Sequence, residues 1–250
     1  MYFGKTIGLQ NNYFFIFLPI LYLIIYYFAI KLILGSKKEI IMTLTFFSIT
    51  SSFILLFTNG LRQGLAGVLL MLIIGLIYRK MGAFMIITVS IFAYFSHFTV
   101  IPFLLLAIFY NTRISSILVG KRIFFIMLLL PFLGYFLLGI LSNFGWLFSK
   151  INNYRVYDNE VYNNNLIYVK IIGLFFLNIV LWYFGDKLKL FNFNKFKLLY
   201  TFFTFGLMII LFTSSILIVS SRFIYYISLF LPLFFSIIFY SRVRVKDMNL

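Results

Sequence analysis

Three ionisable side chains lie within or beside long apolar runs: Arg62, His97 and Arg222. An ionisable group in that setting is costly, so by default it marks function. Their contexts are Thr58-Asn59-Gly60-Leu61-Arg62-Gln63-Gly64, Phe95-Ser96-His97-Phe98 and Ser220-Ser221-Arg222-Phe223. A guanidinium offers a planar fork of donors that fits phosphate oxygens. An imidazole titrates near neutral pH and suits proton transfer. Plainer accounts exist for each. Arginine at a helix end snorkels to headgroups, Gly60 and Gly64 have the spacing of close helix packing, and a lone histidine can be a packing residue. Metal chemistry finds little support, because one histidine and no cysteine leave only Asp158 and Glu160 as ligands on the same side. No DxD, P-loop, HExxH or GxSxG pattern occurs, so nucleotide-dependent and standard hydrolase chemistry are not indicated.

The one sizeable hydrophilic segment, 142–168, interleaves asparagines with Trp146, Tyr154, Tyr157, Tyr162 and Tyr168. Amides both donate and accept hydrogen bonds, and aromatic faces offer a flat apolar platform with a polar tip. That pairing suits sugars, with Arg155, Tyr157, Asp158 and Glu160 as candidate contacts. An aromatic belt at the membrane interface would look similar.

The elements that must position these groups follow from composition. Of 250 residues, 64% are hydrophobic and 10% charged, with a mean hydropathy of +1.09. Soluble domains average about 45–50% apolar and roughly 25% charged, so a water-soluble domain is excluded and a polytopic helical membrane protein is expected. Apolar runs fall at 13–34, 40–58, 63–78, 83–96, 98–110, 123–141, 169–184, 199–219 and 223–240. They predict an all-α bundle of about nine spans in a single membrane domain over residues 1–250, with an external loop at 142–168. The stretch 81–110 reads as two short helices broken at Ser96-His97.

Lys5, Arg62, Lys150, Arg155, Lys170 and Arg222 fall on one side of this layout, leaving 15 of the 21 basic residues on the other. Lysine and arginine accumulate in cytoplasmic loops. The N-terminus is therefore expected outside, the C-terminus in the cytoplasm, and the three ionisable residues at outward helix ends. The same rule accounts for the net charge of +16 without nucleic acid as a partner. The first run is too long for a signal peptide and lacks a small-residue cleavage pattern. Its outward start would be explained by a further helix upstream.

The stretch Asn59-Gly60-Leu61-Arg62-Gln63-Gly64-Leu65-Ala66, followed about thirty residues later by Phe95-Ser96-His97-Phe98, resembles the EpsG/Wzy-type polysaccharide polymerases. That family has an RQGLA-like motif before an FH motif. Ser221-Arg222-Phe223-Ile224-Tyr225-Tyr226 is similar to its C-terminal Arg-aromatic helix start, and the likeness covers roughly residues 40–240. The chain looks shorter than the family on its N-terminal side.

The resemblance implies a glycosyltransferase of the bacterial cytoplasmic membrane. It would join polyprenyl-pyrophosphate-linked oligosaccharide repeat units at the outer face, among membrane lipid and other glycan-assembly proteins, with no cofactor. Arg62 and Arg222 would then clamp the departing diphosphate with Asn59 and Gln63 in support, and His97 would be the general base, with Asp158 or Glu160 as alternatives. A transporter or flippase for a lipid-linked or anionic solute would also use intramembrane arginine, although no inverted repeat is visible. Another membrane acyltransferase and a non-catalytic partner of a glycan assembly complex are the remaining readings.

Overall fold

The computed structural model describes residues 11–49, 61–110, 112–141 and 164–247, and every regular element among them is helical. In chain order these are α1 (Asn11–Ile33), α2 (Lys37–Ile49), α3 (Leu61–Tyr78), α4 (Ala83–Ser96), a 3-10 turn (Phe98–Val100), α5 (Ile101–Phe109), α6 (Thr112–Val119), α7 (Ile123–Leu141), α8 (Asn164–Lys187), a second 3-10 turn (Leu190–Asn192), α9 (Asn194–Phe212), α10 (Leu217–Ser228) and α11 (Leu231–Asp247). The all-α expectation holds. Among the described residues, four stretches are long and apolar enough to cross a membrane: Ile123–Ile140, Leu166–Lys187, Asn194–Phe212 and Leu217–Ser241. A fifth is possible if Phe98–Phe109 and Arg113–Val119 form one broken span. The apolar helices Phe17–Ile33, Arg62–Tyr78 and Ala83–Ser96 are shorter than these. The chain is an integral membrane protein.

Two compact units divide the chain, residues 1–107 with 231–250, and residues 108–230. In the first, α3 is the central helix, with α1 and α4 packed on it. Ala66, Val68, Met71, Ile73 and Ile74 of α3 are wholly buried. Gly75 permits the close approach of α1, since a Cβ there would stand 2.9 Å from that of Leu32. Helix α4 is mostly exposed, with Phe84 at 84% and Phe95 at 78%, as befits a surface facing hydrocarbon. Helix α2 pairs with α11, where the Ser236 hydroxyl donates to the Glu39 carbonyl at 2.8 Å and Phe46 lies against Phe235 and Phe239.

The α3–α4 connection is a tight helix stop. Met81 N–H donates to Leu76 O and Lys80 N–H to Ile77 O, both at 3.0 Å, the bond pattern of a Schellman motif. Lys80 occupies the left-handed position at φ 53°, where glycine is the usual residue. An L-residue there costs roughly 1–2 kcal/mol. Lys80→Gly should therefore stabilise the detergent-solubilised protein by about 1 kcal/mol, read as a rise in unfolding temperature. A fall would show that the lysine side chain stabilises the turn by more than the strain costs.

In the second unit α9 is the axis, touching α6, α7, α8 and α10, and Tyr200, Phe202 and Phe203 are fully buried. Its polar side chains bond across helices. Thr204 Oγ1 donates to Asn178 Oδ1 at 3.2 Å, and the Ser115 and Thr201 hydroxyls meet at 3.0 Å. Such bonds suit helices that gain no hydrophobic drive from association in lipid. Gly134 of α7 is buried where a Cβ would collide with the Phe212 carbonyl at the end of α9. The obstacle is backbone, so Gly134→Ala should destabilise by about 1–3 kcal/mol. A thermal melt of purified protein checks this; an unchanged melt would mean α7 and α9 can part freely.

The C-terminal layout departs from expectation. Runs 199–219 and 223–240 were expected as two helices with a break at Ser220-Ser221, whereas the breaks fall at 213–216 and 229–230. Pro232 explains the second, because it cannot supply the N–H that would continue the helix onto the Ser228 carbonyl. At the first, Ser220 Oγ donates to the Thr213 carbonyl at 2.8 Å. The serine thus closes the turn from the following helix instead of forming a break itself. Helix α6 lies in a stretch read as loop, and α8 begins at Asn164, inside the segment read as external loop.

Candidate functional site

The α3–α4 hairpin carries two of the expected residues. Arg62 is the second residue of α3 and is exposed; Gln63 follows it, half-buried. His97 directly follows α4 and is half-buried. Helices α3 and α4 pack on each other and are joined by the tight turn at 79–82. At 1.5 Å per residue, Arg62 lies ~24 Å along α3 from Tyr78, and His97 ~21 Å along α4 from Ala83. The hairpin therefore carries Arg62, Gln63 and His97 at one end, while Lys31 of α1, Arg79 and Lys80 mark the other. The 3-10 turn following His97 rests on α3, which ties this end together.

Local chemistry fixes His97. Its backbone is extended at φ −162°, so α4 stops there, with its N–H still donating to Ala93 O at 3.1 Å. Its ring then caps the 3-10 turn. Nδ1 accepts from the Thr99 backbone N–H at 3.3 Å and lies 2.7 Å from Thr99 Oγ1. Phe98 stacks on the ring with centroids 5.3 Å apart at 14°. The backbone N–H can only donate, which favours the tautomer with the proton on Nε2 and makes that nitrogen a donor. The hydroxyl contact serves either tautomer: with Nδ1–H donating to Thr99 Oγ1, Nε2 is bare, as the general-base role expected of His97 requires. Thr99, only 7% exposed, is the residue that sequence reasoning missed. Its signal was a hydroxyl two positions after a histidine at a helix break.

The neighbouring serine has no comparable role, since Ser96 Oγ turns back onto the Phe92 carbonyl at 2.7 Å. Arg222 was expected at a helix end but lies inside α10, half-buried, in the second compact unit. Ser221 beside it donates to Ile218 O at 2.9 Å. Asn59, Arg155, Tyr157, Asp158 and Glu160 lie outside the described residues, as does most of the 142–168 segment. Among the described residues no three histidine, cysteine, aspartate or glutamate side chains group as a metal site.

A hairpin end offering a guanidinium, an amide and an imidazole N–H, with no carboxylate in the described part of the hairpin, suits an anionic group at the membrane surface. Comparison with known proteins gives one family: the model described as EpsG family matches residues 1–250. No curated protein and no solved structure matches the chain.

Proposed function

The chain belongs to the EpsG family, and from that premise we propose that it is a membrane glycosyltransferase that polymerises polyprenyl-pyrophosphate-linked glycan repeat units. It would work at the outer face of the bacterial cytoplasmic membrane, with about nine spans, the N-terminus outside and the C-terminus in the cytoplasm. The observation that carries the reading is the shared position of Arg62, Gln63 and His97 at one end of the α3–α4 hairpin, away from the lysine- and arginine-rich end. The positive-inside rule assigns that end to the exterior.

The transfer is a substitution at the anomeric carbon of the donor sugar. A hydroxyl oxygen of the acceptor sugar forms a bond to that carbon while the bond to the lipid diphosphate breaks. The diphosphate leaves with the electron pair. Its growing charge needs fixed donors, and preorganised donors aimed at developing charge are among the largest contributions to enzymatic rate. Arg62 forks onto the phosphate oxygens, Gln63 and Asn59 add neutral donors, and His97 adds Nε2–H. Arg222 is a further guanidinium for substrate handling.

The proton of the acceptor hydroxyl passes to a carboxylate, for which the external segment offers Asp158 and Glu160. Arg155 and Tyr157 are the sugar contacts proposed in the same segment. The scheme requires no nucleotide and no obligatory metal. Other glycan-assembly proteins are the expected neighbours.

The test is a glycan ladder resolved on a gel from cells with and without the protein. Long polymer in its presence and single repeats in its absence are expected. An identical ladder in both would overturn the reading.

A further inference from the structure

We propose that the cleft between α1 and α4 binds an anionic phospholipid, its phosphate held by Lys31 and Arg79 and an acyl chain laid along the apolar floor. The cleft measures about 660 Å³, within the size range of ligand sites. Helix α3 forms its floor with Leu72 and Leu76; α1 gives Phe28 and Leu32 on one side, and α4 gives Met85 and Val89 on the other. Phe28 and Met85 are 52% and 45% exposed, so the channel is open along its length to a hydrocarbon chain.

Both cations of the lining sit at one end. Arg79 is anchored there, its Nε donating to the Leu32 carbonyl at 2.6 Å and its guanidinium 5.6 Å from the Tyr78 ring. That bond uses one donor of the fork and leaves the terminal Nη groups to face a phosphate. Lys31, in the last turn of α1, is exposed beside it. A long apolar trough closed by two positive charges is complementary to an amphiphile with one anionic head. A free phosphate would leave the trough unused, and a net-neutral lipid would leave the charge uncompensated. Basic pockets between helices recognise anionic headgroups on this principle. The site stands at the opposite end of the α3–α4 hairpin from Arg62 and His97, so it is separate from the glycan chemistry.

The full chain in nanodiscs of mixed phosphatidylglycerol and phosphatidylcholine tests this, with retained lipid counted by native mass spectrometry. The unaltered protein should retain phosphatidylglycerol about tenfold over phosphatidylcholine. Lys31→Gln, which leaves the Arg79–Leu32 hydrogen bond in place, should abolish that preference, and Lys31→Arg should keep it. Val89→Trp, filling the trough with both cations intact, should reduce retention of phosphatidylglycerol. Equal retention of the two lipids by the unaltered protein, or a preference that survives both Lys31→Gln and Val89→Trp, would overturn the proposal. So would displacement of the lipid by inorganic phosphate alone. Retention is read without any glycan substrate, so failure here leaves the polymerase proposal untouched.

Discussion

Arg62→Ala should lower the rate of glycan lengthening by about 10²–10³-fold, the loss typical of removing one preorganised donor to developing charge. The side chain stands exposed at the start of α3, so its truncation opens no cavity and the folded yield should not change. Arg62→Lys should recover only part of the loss. An ammonium keeps the charge but not the planar fork that engages two phosphate oxygens together. The measurement is the distribution of chain lengths per unit time in membranes adjusted to equal protein. A full-length ladder from Arg62→Ala at normal expression would remove the diphosphate grip from the account.

His97 gives the second large effect, and there the direction discriminates between roles. Replacement by alanine should cost about 10²-fold, since both a base and a donor to charge are lost on truncation. Replacement by glutamine separates them. Its side-chain amide can donate from about the place of Nε2 but cannot take a proton, so His97→Gln should retain clearly more activity than His97→Ala. A general base would leave both equally inactive. Thr99→Val keeps the backbone N–H bond to Nδ1 but removes the hydroxyl at 2.7 Å. It should lower activity less than His97→Ala.

The hairpin that carries these residues was legible because its punctuation is strong. Arg79-Lys80 interrupts one long apolar stretch, and Ser96-His97 is the sole polar pair in the next. Apolar side chains on all faces hide helix boundaries elsewhere, since periodicity vanishes when no face prefers water. At the C-terminus the polar serines drew attention from Pro232, which carries the physical reason for a break, and Ser220 proved to be bonded across the turn at 213–216. Arg222 was misplaced for the same cause. Helix α6 escaped because eight residues among basic loop residues give too short a pattern to read. The hydrogen bonds of His97 lay beyond the sequence. Thr99 is visible in it, but which ring nitrogen it meets is a matter of backbone conformation.

The chain contains no native cysteine, which permits the most direct test of the diphosphate grip. Arg62→Cys is made in the otherwise unaltered protein and treated with a methanethiosulfonate carrying a cationic tail, or with a neutral one of equal length. The account predicts that the untreated variant fails to lengthen glycan, that the cationic adduct restores lengthening, and that the neutral adduct does not. Equal rescue by both reagents, or full activity without either, would contradict a positive charge acting at this hairpin end.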